Sequence, residues 1–210
     1  MILRAMQVGM IQTNCYIVGC EETKQGVVID PGGDGDRILR AVERDGLDIR
    51  YVLLTHAHMD HIAGAADVVK GTGGKLAAHP DAIPLLQKDG GASWFGFSMP
   101  SCPLPDIELE AGQVLEVGKL RFQVLYVPGH SPGHVAFYEA DEGVLFDGDV
   151  LFASGIGRTD LPGGDWDTLA RSIREVIFAL PDETVVYSGH GPKTTVGYEK
   201  SHNPWLSMLR

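Results

Sequence analysis

Short runs of β-branched and apolar residues recur along the chain at Cys15–Val18, Gly26–Ile29, Tyr51–Leu54, Lys75–Ala78, Leu120–Val127, His134–Tyr138, Val144–Phe146 and Thr184–Tyr187. Each is bounded by Gly, Pro or Asp, residues that end a strand and turn the chain. This rhythm requires sheets at the centre of the fold. Helical spacing is clearest from Asp165 onward, where Trp166, Leu169, Ala170, Ile173, Val176, Ile177 and Leu180 fall on one face and Asp165 can cap the start. A shorter helix is expected over Asp36–Arg44, with Ile38, Leu39 and Val42 inward and Gly46 near its stop, and another after Ile62. Strands, a helix, more strands and a last helix predict an α/β fold of two sheets sandwiched by helices. No repeat or low-complexity linker interrupts the chain, so residues 1–210 read as a single domain.

The chain sets 17 Lys and Arg against 28 Asp and Glu, a net charge of −11. That balance repels phosphodiester backbones and anionic membranes, so neither nucleic acid nor a membrane surface is an expected partner. A hydrophobic content of 44% excludes a wholly disordered chain. Cys15, Cys20 and Cys102 are odd in number, which speaks against a disulfide framework and for a cytoplasmic protein. They read as small buried hydrophobes rather than zinc thiolates. The N-terminal segment, broken by Arg4, Gln12 and Asn14, lacks the continuous apolar run of a signal peptide or membrane helix.

The chemistry concentrates after Tyr51–Leu54, in Thr55-His56-Ala57-His58-Met59-Asp60-His61. On an extended chain alternate residues project together, so His56 and His58 can share one metal ion. Asp60 and His61 then turn elsewhere as a helix begins, and can serve a second ion close by. Packing so many titrating groups into one loop has no structural benefit without a cation. Further ligands must come from distant sequence, and three candidates follow apolar strands at glycine turns: His130 in Pro128-Gly129-His130-Ser131-Pro132-Gly133-His134, Asp149 in Asp147-Gly148-Asp149, and His190 in Ser188-Gly189-His190-Gly191. His134 reads as a residue supporting the ligands or packing beside them, His79 as a turn residue before Pro80, and His202 as solvent-facing.

With Asp30-Pro31-Gly32 after an early strand, these motifs make the chain resemble the metallo-β-lactamase superfamily over nearly its whole length. The resemblance implies an αβ/βα four-layer sandwich with a binuclear centre at the inner sheet edges. It implies His56, His58 and His130 on the first metal, Asp60, His61 and His190 on the second, and Asp149 bridging. An aspartate at the bridge and an Asp60-His61 pair differ from antibiotic-hydrolysing members. The runs Gly129–His134, Gly157-Arg158-Thr159-Asp160 and Gly189-His190-Gly191-Pro192 look most like the glyoxalase II group, in its short bacterial form. Long forms carry a C-terminal helical domain that helps hold glutathione, and an acidic and an aromatic residue where Gly191 and Pro192 stand here.

The implied activity is hydrolysis of a glutathione thioester, S-D-lactoylglutathione to D-lactate and glutathione. Two divalent ions, zinc in first place with iron or manganese as alternatives, would lower the pKa of a bridging water and stabilise the oxyanion formed on attack. The thiolate leaves at its own pKa of about 8.5, so no strong general acid is needed. Asp60 is a candidate to orient the nucleophile. Arg158, by resemblance, lies near a glutathione carboxylate, its alternative being an ion pair with Asp160; Lys193 is a weaker candidate for the same duty. Two rivals share the fold: a persulfide dioxygenase using a single iron held by two histidines and an aspartate, and a lactone or other ester hydrolase.

Overall fold

The computed structural model describes residues 1–205. It contains two six-stranded sheets packed face to face, each covered on its outer side by helices. The first sheet runs in spatial order through β1 (Ile2–Val8), β2 (Thr13–Gly19), β3 (Gln25–Ile29), β4 (Asp48–Leu53), β5 (Lys75–Ala78) and β6 (Ile107–Glu108). Its β1–β3 portion is antiparallel and its β3–β6 portion parallel. The parallel connections pass through α1 (Gly35–Asp45) and through α2 (Met59–Ile62) and α3 (Ala65–Thr72), as parallel strands require. The second sheet contains β7 (Val114–Val117), β8 (Leu120–Tyr126), β9 (Val135–Glu139) and β10 (Val144–Gly148). A small ribbon, β11 (Leu151–Phe152) with β12 (Gly155–Ile156), follows before the chain passes through α5 (Trp166–Glu175) to add β13 (Val185–Ser188), β14 (Thr194–Thr195) and α6 (Val196–His202), while α4 (Ile83–Leu86) lies between β5 and β6 in the first half.

The two-residue period of the strands sorts their side chains into layers. In β2, Tyr16 and Val18 face the inter-sheet core while Cys15 and Ile17 face the helices; in β9, Val135 and Phe137 face inward while Ala136 and Tyr138 face α5. Phe122, Phe137 and Phe146 fill the centre, fully buried. Ile38, Ala41 and Val42 of α1 and Val68 of α3 cover one outer face; Leu169 and Ile173 of α5 cover the other. The four-layer sandwich implied by the resemblance is the architecture observed.

Departures from the sequence reading are local. The Asp165 side chain caps α5 by accepting from the Thr168 amide, but the helix stops at Glu175, and Ile177 continues the apolar face from a 3₁₀ turn. The helix expected after Ile62 begins at Met59, so Asp60 and His61 occupy its first turn, and the chain restarts as α3 beyond Gly64. The edge strands β1 and β7 expose alternate residues, Ala5 and Gln7 in one and Val114 and Glu116 in the other, because one face meets solvent. All three cysteines are free and buried. Among the described residues, no helix is long and apolar enough to cross a membrane.

Candidate metal centre

The ends of β4, β8, β10 and β13 deliver their following turns to one edge of the sandwich, and the residues singled out from sequence converge there. Three donor groups have ligand atoms within 4.8 Å of one another: His56, His58 and His130; His56, His61 and Asp149; Asp60, His61 and His190. The first and third are the two implied sets. Asp149 lies between them, with Oδ1 3.4 Å from His61 Nε2 and Oδ2 3.7 Å from His130 Nε2 and 3.6 Å from His190 Nε2.

Outer partners fix which ring nitrogen faces the centre. Thr55 Oγ1 donates to Asp30 Oδ2 at 2.7 Å, which leaves it to accept from His56 Nδ1 at 3.1 Å. His61 Nδ1 donates to Asp30 Oδ2 at 3.0 Å, and His130 Nδ1 donates to the Arg158 carbonyl at 2.7 Å. All three imidazoles therefore engage Nδ1 outward and turn Nε2 inward, the arrangement that raises a ligand's basicity and fixes its orientation once Nε2 is free of its proton. His58 Nδ1 meets His130 Nε2 at 2.9 Å. The buried atoms His56 Nε2, His61 Nε2 and Asp149 Oδ1 have no hydrogen-bond partner in the protein. Orphaned donors of this kind, clustered and of imidazole and carboxylate type, fit divalent cations.

The electrostatics agree. Burial alone would raise the Asp149 carboxyl, yet neighbouring His61, His130 and His190 hold it well below the usual carboxylate range. Burial opposes ionisation of Asp60 as well, and His61 and His190 bring it down to about 2. Conversely, burial would lower His61, but Asp149, Asp60 and Asp30 pull it well above its ordinary value. Carboxylates this concentrated demand a positive charge among them.

The metal-free protein should be acid-sensitive. His56, His58, His130 and His134 titrate below their ordinary value, chiefly through burial, His58 being pushed down to about 3. A group neutral in the fold but protonated in the unfolded chain contributes stability that is complete above about pH 6.5 and lost as pH falls toward its depressed value. His61 and His190 are raised and act oppositely, their contribution present below about pH 6.5 and lost as pH rises. Since the depressed imidazoles outnumber the raised ones, the urea midpoint of chelator-treated protein should fall between pH 7 and pH 5; a constant or rising midpoint would contradict this balance.

Close backbone approach holds the loop. A Cβ on Gly32 would run into the Asp60 carbonyl, and one on Gly90, whose φ is +61°, would sit 2.5 Å from the Met59 amide nitrogen. The first contact seats the Asp30–Gly32 turn beneath α2; the second seats the segment carrying Trp94, Phe95 and Phe97 over the centre. A cavity of about 430 Å³ opens there, walled by His58, Asp60, His130, Asp149 and His190 on one side and by Ile11, Phe95, Phe97, Phe152 and Leu161 on the other. These apolar walls escape sequence reading because Gly90–Phe97 has no helix or strand period.

Arg158 lines the cavity and also makes a bidentate ion pair with Asp160, at 2.7 Å for both bonds. Lys193 is a correction: it does not line the cavity but stands 5.9 Å over the Tyr187 ring, carried away by the turn at Gly191. His134 stacks on His56 with centroids 4.6 Å apart and accepts from the Asp149 amide at 3.2 Å. His79 accepts from the Asp81 amide and stacks on Tyr126 in its turn, and His202 is exposed on α6.

This sandwich, with its His and Asp cluster where the sheet edges meet, defines a metal-dependent hydrolase. The sequence profile of the metallo-beta-lactamase superfamily matches residues 8–190, and the chain belongs to that superfamily. It is 37% identical over 210 residues to hydroxyacylglutathione hydrolase GloC of Haemophilus influenzae, covering 99% of each chain. Among solved structures it is similar to BLEG-1 B3 metallo-beta-lactamase, with TM-score 0.91 and 38% identity over 98% of this chain and 100% of that one. TTHA1623, solved in a di-iron-bound form, gives TM-score 0.88 and 41% identity over 97% of this chain and 100% of that one. ETHE1 from Myxococcus xanthus gives TM-score 0.83 and 32% identity over 99% of this chain and 85% of that one. Relatives with such different names leave the substrate to be argued from the site.

Proposed function

We propose that the protein is a binuclear metallohydrolase cleaving a glutathione thioester, S-D-lactoylglutathione first among them. The observation that carries the reading is Asp149, whose carboxylate lies within 4 Å of both three-donor groups, Oδ2 near His130 of one and His190 of the other and Oδ1 near His61. Similarity to GloC along the whole chain supports the thioester. Two divalent ions, held by His56, His58 and His130 and by Asp60, His61 and His190 with Asp149 shared, would supply Lewis acidity and an acidified water.

The chain's own groups do the rest. Asp60 Oδ2, fixed by the Thr13 hydroxyl at 3.0 Å and by His190 Nε2 at 3.1 Å, is placed to orient the nucleophile. The aromatic walls keep bulk water from the scissile carbonyl. The departing thiolate needs no strong acid. Arg158, the one cationic side chain on the cavity wall, meets a carboxylate of the glutathionyl group. Arg158→Ala should therefore raise KM several-fold with little change in kcat, while loss of the exposed, solvent-screened pair with Asp160 leaves Tm nearly constant. An unchanged KM would assign Arg158 to the ion pair alone.

Metal analysis separates this reading from a single-iron dioxygenase. Fully loaded protein should hold two ions per chain, zinc, iron or manganese, and a ceiling of one would favour the dioxygenase.

A further inference from the structure

The main cavity has a neighbour that the proposed reaction does not use. A second cavity of about 200 Å³ shares Ile11, Met59, Asp60 and Phe97 with the first and continues past them to Met10, Ala63 and Met99. The two differ in charge. The first contains Arg158 and most of the His and Asp cluster; the second, among the described residues, has no ionisable side chain on its walls except Asp60. Asp60 turns Oδ2 toward His190 and Thr13. What remains is methionine, isoleucine, phenylalanine, alanine and glycine backbone, with Ser98 at the exposed edge.

Its rim is apolar as well. Met10 is 78% exposed at the tip of the β1–β2 hairpin, and Ile11, Phe95 and Phe97 are about half exposed beside it. Large apolar side chains left open around a concave site mark a place where apolar ligand is covered.

We infer that this second cavity is an acyl subsite, so that the site also takes thioesters whose unbranched apolar acyl chain is longer than lactoyl. The inference rests on the thioester reading. Two ends of one substrate must leave the reacting carbonyl in different directions, and the anionic glutathionyl end is directed toward Arg158. The other end meets a methionine-lined recess with no cation on its described walls, where a second negative charge would be stranded beside Asp60. At about 30 Å³ per water-sized group, the recess accommodates a chain of roughly six carbons. Methionine walls suit a flexible chain because they adapt their shape to it.

The test uses metal-loaded protein and S-acylglutathiones from acetyl through butanoyl to hexanoyl. kcat/KM should rise about threefold per methylene, short of the roughly fourfold that complete burial of each would give. Filling the recess by Ala63→Leu, or from its exposed edge by Ser98→Phe, should lower the ratio of hexanoyl to acetyl kcat/KM at least about fivefold, the loss expected when one or two methylenes are shut out. Calorimetry with the non-hydrolysable S-methylglutathione and S-hexylglutathione gives a readout independent of turnover, and the hexyl compound should bind more tightly in the parent and lose that advantage in both variants. Turnover of lactoylglutathione with no gain along the series, or a gain that both variants retain, would overturn the subsite. Tight, variant-sensitive binding of the hexyl compound with no hydrolysis of any thioester would keep the subsite and overturn the proposed reaction.

Discussion

Replacing Asp149 by Ala should reduce bound metal from two ions per chain to one or none and lower thioester kcat/KM by about a thousandfold, the scale on which one group stabilising transition-state charge acts. The size of the effect follows from its position. Its two oxygens lie 3.4 Å from His61 Nε2 and 3.7 Å from His130 Nε2, so no other side chain can take over both contacts. The backbone should stay in place, because the Asp149 amide remains tied to His134. Asp149→Asn keeps the shape and removes the charge, and should retain more fold stability than metal. An Ala variant that still loads two ions and works at the parent rate would dismiss Asp149 as the shared ligand.

Asp30→Ala should be almost as damaging without touching a proposed metal ligand's own atoms. The Asp30 carboxylate accepts from the Thr55 amide at 2.8 Å, the Thr55 hydroxyl at 2.7 Å and His61 Nδ1 at 3.0 Å, all buried. Its removal strands those donors at a cost of about 3 kcal/mol in stability. It also frees His56 and His61 from their fixed tautomers, which should weaken metal binding roughly 10- to 100-fold. Asp30 adopts φ 49°, a conformation that aspartate and asparagine tolerate better than alanine, so Asp30→Asn is the milder comparison. Urea unfolding of the metal-free variants and competitive zinc titration separate the two losses; an Ala variant with parental stability and affinity would contradict this account of the turn.

The sequence made the central strands legible because burial on both faces gives continuous apolar runs, as in Val27–Ile29 and Leu53–Leu54. It made the first donors legible because they share one loop. His130, Asp149 and His190 were recognisable only through their common position after strands, and their mutual approach depends on the register of two sheets. Edge strand β1 was hidden because Arg4, half-buried against Asp45, and the exposed Gln7 fall on opposite faces and break any apolar period. The role of Thr55 could not be read, since a threonine at a strand end has many uses, and Asp30 stood out only as part of a family turn. The aromatic wall at Trp94–Phe97 was invisible because a glycine-rich segment with no period takes its shape from what it packs on, here the Met59 backbone. Lys193 misled because proximity to His190 in sequence does not survive the turn at Gly191.

The most direct measurement is anaerobic incubation of metal-loaded protein with S-D-lactoylglutathione while free thiol and D-lactate are followed together. Hydrolysis predicts equal release of both with no oxygen present, and a rate that falls below neutral pH as the imidazole ligands become protonated and metal is lost. No acid release under anaerobic conditions, alongside oxygen uptake with glutathione persulfide, would contradict the hydrolase.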